Sequence, residues 1–160
     1  MGTSNILRVV MGVLIAGMVA AAESSAVDGP AVAIDIKPGT STNSINPGSS
    51  GKIPVAVLSG PGFNAPAQVD RSSLTFGRTG NEASLAFCNA GGVDVNRDGL
   101  RDLLCHFYTE KTGFVAGNTA GILKGRTTGG QSFTGKDSVT IVPPAGVPAD
   151  TTPPALQKAR

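Results

Sequence analysis

An all-β fold is predicted for this chain: a single antiparallel β-sandwich of immunoglobulin-like Greek-key architecture with about seven strands. Three observations predict it. Short runs of alternating apolar residues recur along the sequence, beginning with Val32, Ile34 and Ile36 set against Ala33 and Asp35, the period of two expected of half-buried strands. Turn formers separate these runs, drawn from 22 glycines and 11 prolines among 160 residues. No ten-residue stretch combines a 3.6-residue apolar period with helix formers, and charged residues make up only 15%, which excludes coiled coils and long amphipathic helices. A hydrophobic fraction of 40% is enough for one core, and the length suits one domain with tails.

Residues 1–26 read as an export signal. Arg8 sits in a short polar start, Val9 to Ala22 form an apolar run, and small residues follow, so cleavage after Ala22 or after Ala26 fits the small-x-small rule. At about 1.5 Å per residue the run reaches about 21 Å, short of a hydrocarbon layer about 30 Å thick. A retained anchor is therefore not expected. With no Cys near the cleavage region and no Arg pair before the run, lipoprotein and twin-arginine signals are not expected either.

The β-domain is expected over residues 27–142. Its first strand carries Val32, Ile34 and Ile36, and a turn-rich stretch from Lys37-Pro38-Gly39 to Asn46-Pro47-Gly48-Ser49-Ser50-Gly51 follows. Ile53, Val55 and Val57 give a second strand, in which Pro54 predicts an edge position or a strand beginning. Leu74 and Phe76 mark the third and Leu85 to Cys88 the fourth, while Leu103 to Tyr108, apolar on both faces, make the fifth. Ile122 and Leu123 give a sixth, and Val139 with Ile141 a last one. Between these two, Thr127-Thr128-Gly129-Gly130-Gln131 carries the paired glycines of a tight hairpin turn. Residues 143–160 hold five prolines and little that could pack, so a disordered tail is expected.

The composition narrows the chemistry. One His, one Tyr and no Trp leave few side chains for acid/base work or ring stacking, and a net charge of +2 with scattered Lys and Arg points away from nucleic acid. In the oxidising compartment that the signal implies, the only two cysteines, Cys88 and Cys105, are expected to pair. They would close a loop of about 18 residues and stabilise by roughly 3 kcal/mol in the chain-entropy view.

One motif carries chemistry. Residues 94–102 read Asp94-Val95-Asn96-Arg97-Asp98-Gly99-Leu100-Arg101-Asp102, or D-x-N-x-D-G-x-x-D. Ca²⁺ takes six to eight oxygens at about 2.3–2.6 Å, and this spacing can wrap a short loop around it. Asp94, Asn96 and Asp98 would present side-chain oxygens, and Gly99 would permit the turn that aims the Leu100 carbonyl inward. Asp102 would ligate directly or through a water, and Asp70, Glu82 and Glu110 are candidates to complete the shell. The competing reading is a turn loop whose Asp and Asn side chains cap their own backbone. An EF-hand is excluded, because its twelfth position holds a bidentate Glu and here Cys105 stands there, without flanking helices. Weak extracellular-type affinity, about 10⁻⁴–10⁻³ M, is expected. Since Cys88 and Cys105 bracket the loop, their cross-link would reduce the entropy lost on binding the ion.

The loop resembles the calcium loops of integrin-type FG-GAP repeats and the first half of a dockerin loop, although one copy is present and a propeller needs several. Residues 32–142 as a whole resemble a β-domain that recurs in secreted and cell-surface bacterial proteins. The resemblance rests on Ile34-Asp35-Ile36-Lys37-Pro38-Gly39 with Asn43-Ser44-Ile45-Asn46, and on Ile53-Pro54-Val55-Ala56-Val57-Leu58. It continues through Val69-Asp70, the Asp94–Asp102 loop, and Phe133-Thr134-Gly135-Lys136-Asp137-Ser138-Val139. It implies an extracellular β-domain and carries over no catalytic residue.

A secreted or periplasmic calcium-binding structural or interaction module without catalysis is therefore expected. It would be a monomer, not inserted in a membrane after signal cleavage, with an extracellular protein or polysaccharide as its partner. The alternative is an adhesion or carbohydrate-binding module, with Tyr108 and Phe114 as the aromatic candidates. A hydrolase built around His106 is the least favoured reading, since its side chain should point away from that of neighbouring Cys105 on a strand.

Overall fold

The computed structural model describes residues 30–143. The export signal expected over 1–26 and all of the expected tail beyond Pro143 lie outside these residues. Nine strands form: β1 Ile34–Ile36, β2 Ser44–Ile45, β3 Lys52–Val57, β4 Val69–Gly77, β5 Leu85–Cys88, β6 Leu103–Tyr108, β7 Ala120–Thr127, β8 Ser132–Ser138 and β9 Thr140–Ile141. One helical turn, α1 Ala65–Gln68, precedes β4, and a 3₁₀ turn, Thr109–Lys111, follows β6. No helix of the described residues is long and apolar enough to cross a membrane.

The strands build antiparallel sheets in the orders β1-β3-β6-β5 and β4-β7-β8, with a short parallel pair, β2-β9, beside them. Alternation along each strand decides what is buried. Ile53, Val55 and Val57 of β3 and Leu103, Cys105 and Phe107 of β6 point into one core. That core also takes Leu74 and Phe76 of β4, Leu123 of β7 and Phe133 of β8, so both larger sheets feed it. The Phe76 and Phe107 rings meet there with centroids 5.0 Å apart. Where the larger sheets approach, β7 and β8 place glycines inward. A Cβ on Gly121 would lie 2.8 Å from Ile36 Cδ1, too close for either to stay in place. Ahead of β1, the Val32 N–H donates to the Thr134 carbonyl of β8, while Ile34–Ile36 pair with β3, so the first extended segment touches both sheets.

Several expectations are corrected. Among the described residues the strand count is nine, because the short β2 and β9 pair in parallel through Ser44↔Thr140 and Ile45↔Ile141, and two residues are too few to print a period. The last strand, expected at Val139 and Ile141, is β8 and β9, with buried Val139 between them. Beta8 escaped because its inward positions include Gly135, which shows no apolar signal. Pro54 stands third in β3, an interior strand flanked by β1 and β6. It is tolerated because its carbonyl accepts from the Lys37 N–H, just past the end of β1. Its missing donor therefore points to where pairing has stopped, and opposite His106 no bond is due. Beta6 is fully buried on its inner face only: Leu103, Cys105 and Phe107 are buried, and Leu104, His106 and Tyr108 are half-buried. In the β7–β8 turn only Gly130, of the paired glycines, takes positive φ.

Candidate metal centre

Residues 94–101 form the tip of the β5–β6 hairpin. At its base Cys88 and Cys105 are direct cross-strand partners and are disulfide-bonded, the pairing expected from the sequence. Further out, the Asn89 N–H donates to the Leu104 carbonyl at 2.8 Å. Val93 and Asp102 then exchange two backbone bonds of 2.9 Å and close the tip. The tip is pinned at its base by a covalent bond and at its neck by a hydrogen-bonded pair.

Inside it, the predicted residues converge on their own backbone. Asp94 accepts from the Asp98 N–H through Oδ1 at 3.2 Å and from the Gly99 N–H through Oδ2 at 3.0 Å. Asn96 Oδ1 also accepts from the Asp98 N–H, and its Nδ2 donates to Asp98 Oδ2 at 2.9 Å. Asp98 Oδ1 accepts from the Leu100 N–H at 2.8 Å. Gly99 has φ +87° and Arg97 φ +64°, the left-handed conformations that so tight a wrap requires.

Asp102 differs from the other three. Its side chain is fully buried, Oδ2 accepts from the Val95 N–H at 3.0 Å, and Oδ1 from the Ser59 N–H at 2.8 Å. The Ser59 hydroxyl donates to the Arg101 carbonyl and accepts from the Ala65 N–H. Asp102 thus fastens the tip to the segment between β3 and α1. Nothing in the sequence marks Ser59 for this role, because the contact spans 43 positions. Beside it, Phe63, Asn64, Gln68, Leu100 and Arg101 help line an open cleft of about 260 Å³.

Among the described residues, no three His, Cys, Asp or Glu side chains gather closely enough to form a metal-holding group. The donors offered by the tip are instead a mixed set of two exposed carboxylates, one amide oxygen and the buried Asp102. Oxygens of this kind suit a hard cation, and a carboxylate oxygen that accepts one amide N–H keeps a lone pair. Asp70 and Glu82 face elsewhere. Asp70 accepts from the Ser72 N–H and hydroxyl. Glu82 accepts from the Thr79 N–H and hydroxyl. Burial pushes the Glu82 carboxyl up, but the hydrogen bonds from Thr79 and nearby backbone outweigh it and leave its pKa lowered. Glu110 lies in the 3₁₀ turn beyond the far end of β6, about 20 Å along the strand from Asp102.

Of the aromatic candidates, Phe114 is 4% exposed and packs edge-on against Phe76, so it belongs to the core. Phe87, which the sequence reading passed over, is 49% exposed. Alternation from Leu85 would have turned it inward, but a register shift between Leu85 and Phe87 turns it out. Its ring stacks on His106 at 4.5 Å between centroids and 22° between planes. His106 and Cys105 take opposite faces, as expected. Burial, then the nearby Lys52 ammonium, lowers the His106 pKa. No family model matches the chain, and no match emerges among curated proteins or solved structures.

Proposed function

We propose that this chain is a secreted or periplasmic calcium-binding module of structural or interaction type, without catalysis, built as an immunoglobulin-like Greek-key sandwich. Strand order supports the architecture. With the short β2 and β9 set aside, β1-β3-β6-β5 and β4-β7-β8 follow the A-B-E-D and C-F-G orders of constant-type immunoglobulin domains.

The observation that carries the calcium reading is the wrap of Asp94, Asn96 and Asp98 around a disulfide-pinned hairpin tip, with Asp102 buried at its neck. Asp94, Asn96 and Asp98 would supply side-chain oxygens, Leu100 its carbonyl, and Asp102 an oxygen directly or through a water. The ion would neutralise carboxylates that only amide N–H groups now hold, and it would stabilise the fold by mass action without doing chemistry. Thermal unfolding in chelator, in Ca²⁺ and in Mg²⁺ tests this. At ten times Kd, Ca²⁺ should add ~1.4 kcal/mol and raise Tm, with Mg²⁺ inert. Asp98→Ala should abolish that rise with little effect in chelator. Asp102→Ala should destabilise the fold by about 1–3 kcal/mol and so lower Tm even in chelator, because the Ser59 and Val95 N–H groups lose their acceptor. A flat response of the native chain to Ca²⁺ would leave the tip as a backbone-capping turn.

The second reading, an adhesion or carbohydrate-binding module, draws support from exposed Phe87, stacked on His106. For a hydrolase built around His106, nothing comparable speaks.

A further inference from the structure

The outer face of the four-stranded sheet presents Lys52 and Pro54 of β3 beside Tyr108 and His106 of β6, which are their cross-strand partners. Beyond His106, β5 adds Phe87. Phe87 stacks face to face on His106, with planes 22° apart, so each ring covers one face of the other, while Phe87 stays 49% exposed. Tyr108 follows two residues further along the same strand, about 6.8 Å away. Two ammonium groups lie over its ring, Lys52 Nζ at 5.2 Å and Lys111 Nζ at 4.8 Å from the centroid. Next to them a polar cleft of about 230 Å³ takes in Lys37 and Lys52 with Ser44, Asn46, Ser49 and Thr109, and no carboxylate lines it.

We infer that this end of the outer face binds an acidic polysaccharide, a sugar ring of which lies on the exposed side of Phe87 and whose carboxylates meet Lys52, Lys111 and Lys37. The inference deepens the carbohydrate-binding reading and does not rest on calcium, because the tip lies at the opposite end of β6. Aromatic rings offer apolar faces with a polar rim, which suits the C–H faces and hydroxyls of a pyranose. Ammonium groups held over Tyr108 are compact point charges already in place, so little side-chain entropy is lost when a carboxylate docks. Hydroxyl and amide side chains in the cleft match sugar hydroxyls. An acidic peptide would meet the same cations, but carries no pyranose face to lay on Phe87. The carboxylates nearby are exposed Glu110, on the 3₁₀ turn, and Asp35, at the other end of the face.

The test is affinity electrophoresis of the purified protein in chelator, with polygalacturonate as probe and dextran and poly-glutamate as controls. Retardation by polygalacturonate and not by dextran is expected, weaker with rising salt. Phe87→Ala should weaken it about tenfold at unchanged Tm, and Phe87→Trp should keep it. Lys52→Ala with Lys111→Ala should weaken binding and flatten its salt dependence. No retardation by polygalacturonate, or retardation indifferent to Phe87→Ala, would overturn the inference. Equal retardation by poly-glutamate would overturn it too, assigning the face to acidic peptides. The calcium melt of the same variants should stay as in the parent chain, so a failure here is distinct from a failure of the calcium reading.

Discussion

At the scale of single residues, charge placement matters more than charge count. Asp35 sits half-buried on the outer face, and burial first, then the Asp137 and Asp102 carboxylates, raise its pKa. A raised acid binds its proton more tightly folded than unfolded, so its stabilising contribution is full below about pH 3.9, the unfolded value. It is lost as pH rises through the higher folded value. Asp35→Asn should therefore raise the urea midpoint at pH 7 and leave it little changed at pH 3. An equal effect at both pH values would mean that burial and like charge are not what the residue feels. Glu82, with its lowered pKa, acts in the opposite sense and loses its contribution as pH falls.

At the scale of elements, edges and hairpin ends are secured by side chains distant in sequence. Asp137 of β8 accepts from the Ile36 N–H of edge strand β1 and from Asn43 Nδ2, which leaves that part of the edge less open to pairing with another chain. The β5–β6 hairpin is secured by its disulfide. Reduction should cost about 3 kcal/mol and weaken the calcium-induced rise in Tm, because the ion would then have to order the tip from a looser base. Thermal melts with and without reductant at several Ca²⁺ concentrations measure both effects, and an unchanged calcium midpoint after reduction would uncouple cross-link and ion.

At the scale of the whole molecule, the approach of the larger sheets depends on what is missing from the inner face of one of them. A Cβ on Gly135 would run into Ile34 Cγ2, so Gly135→Ala should destabilise by about 1–3 kcal/mol through overpacking. In an Ile34→Ala background the same change should cost less, a coupling that a double-mutant cycle on denaturant midpoints reads. The sequence by itself determined the all-β class, most strand centres and the Cys88–Cys105 bond. Period-two alternation and the pairing of two cysteines are local or countable signals. It also marked Asp94, Asn96, Asp98 and Asp102, because cation-loop spacing is contiguous. Only the tertiary structure decided that Asp102 is a buried clamp on Ser59, that a bulge turns Phe87 outward, and that Phe114 is core. It also decided how Pro54 fits an interior strand and how β2 and β9 pair. Each of these depends on which segments meet across long stretches of chain, and a periodicity locates a strand without saying what stands beside it.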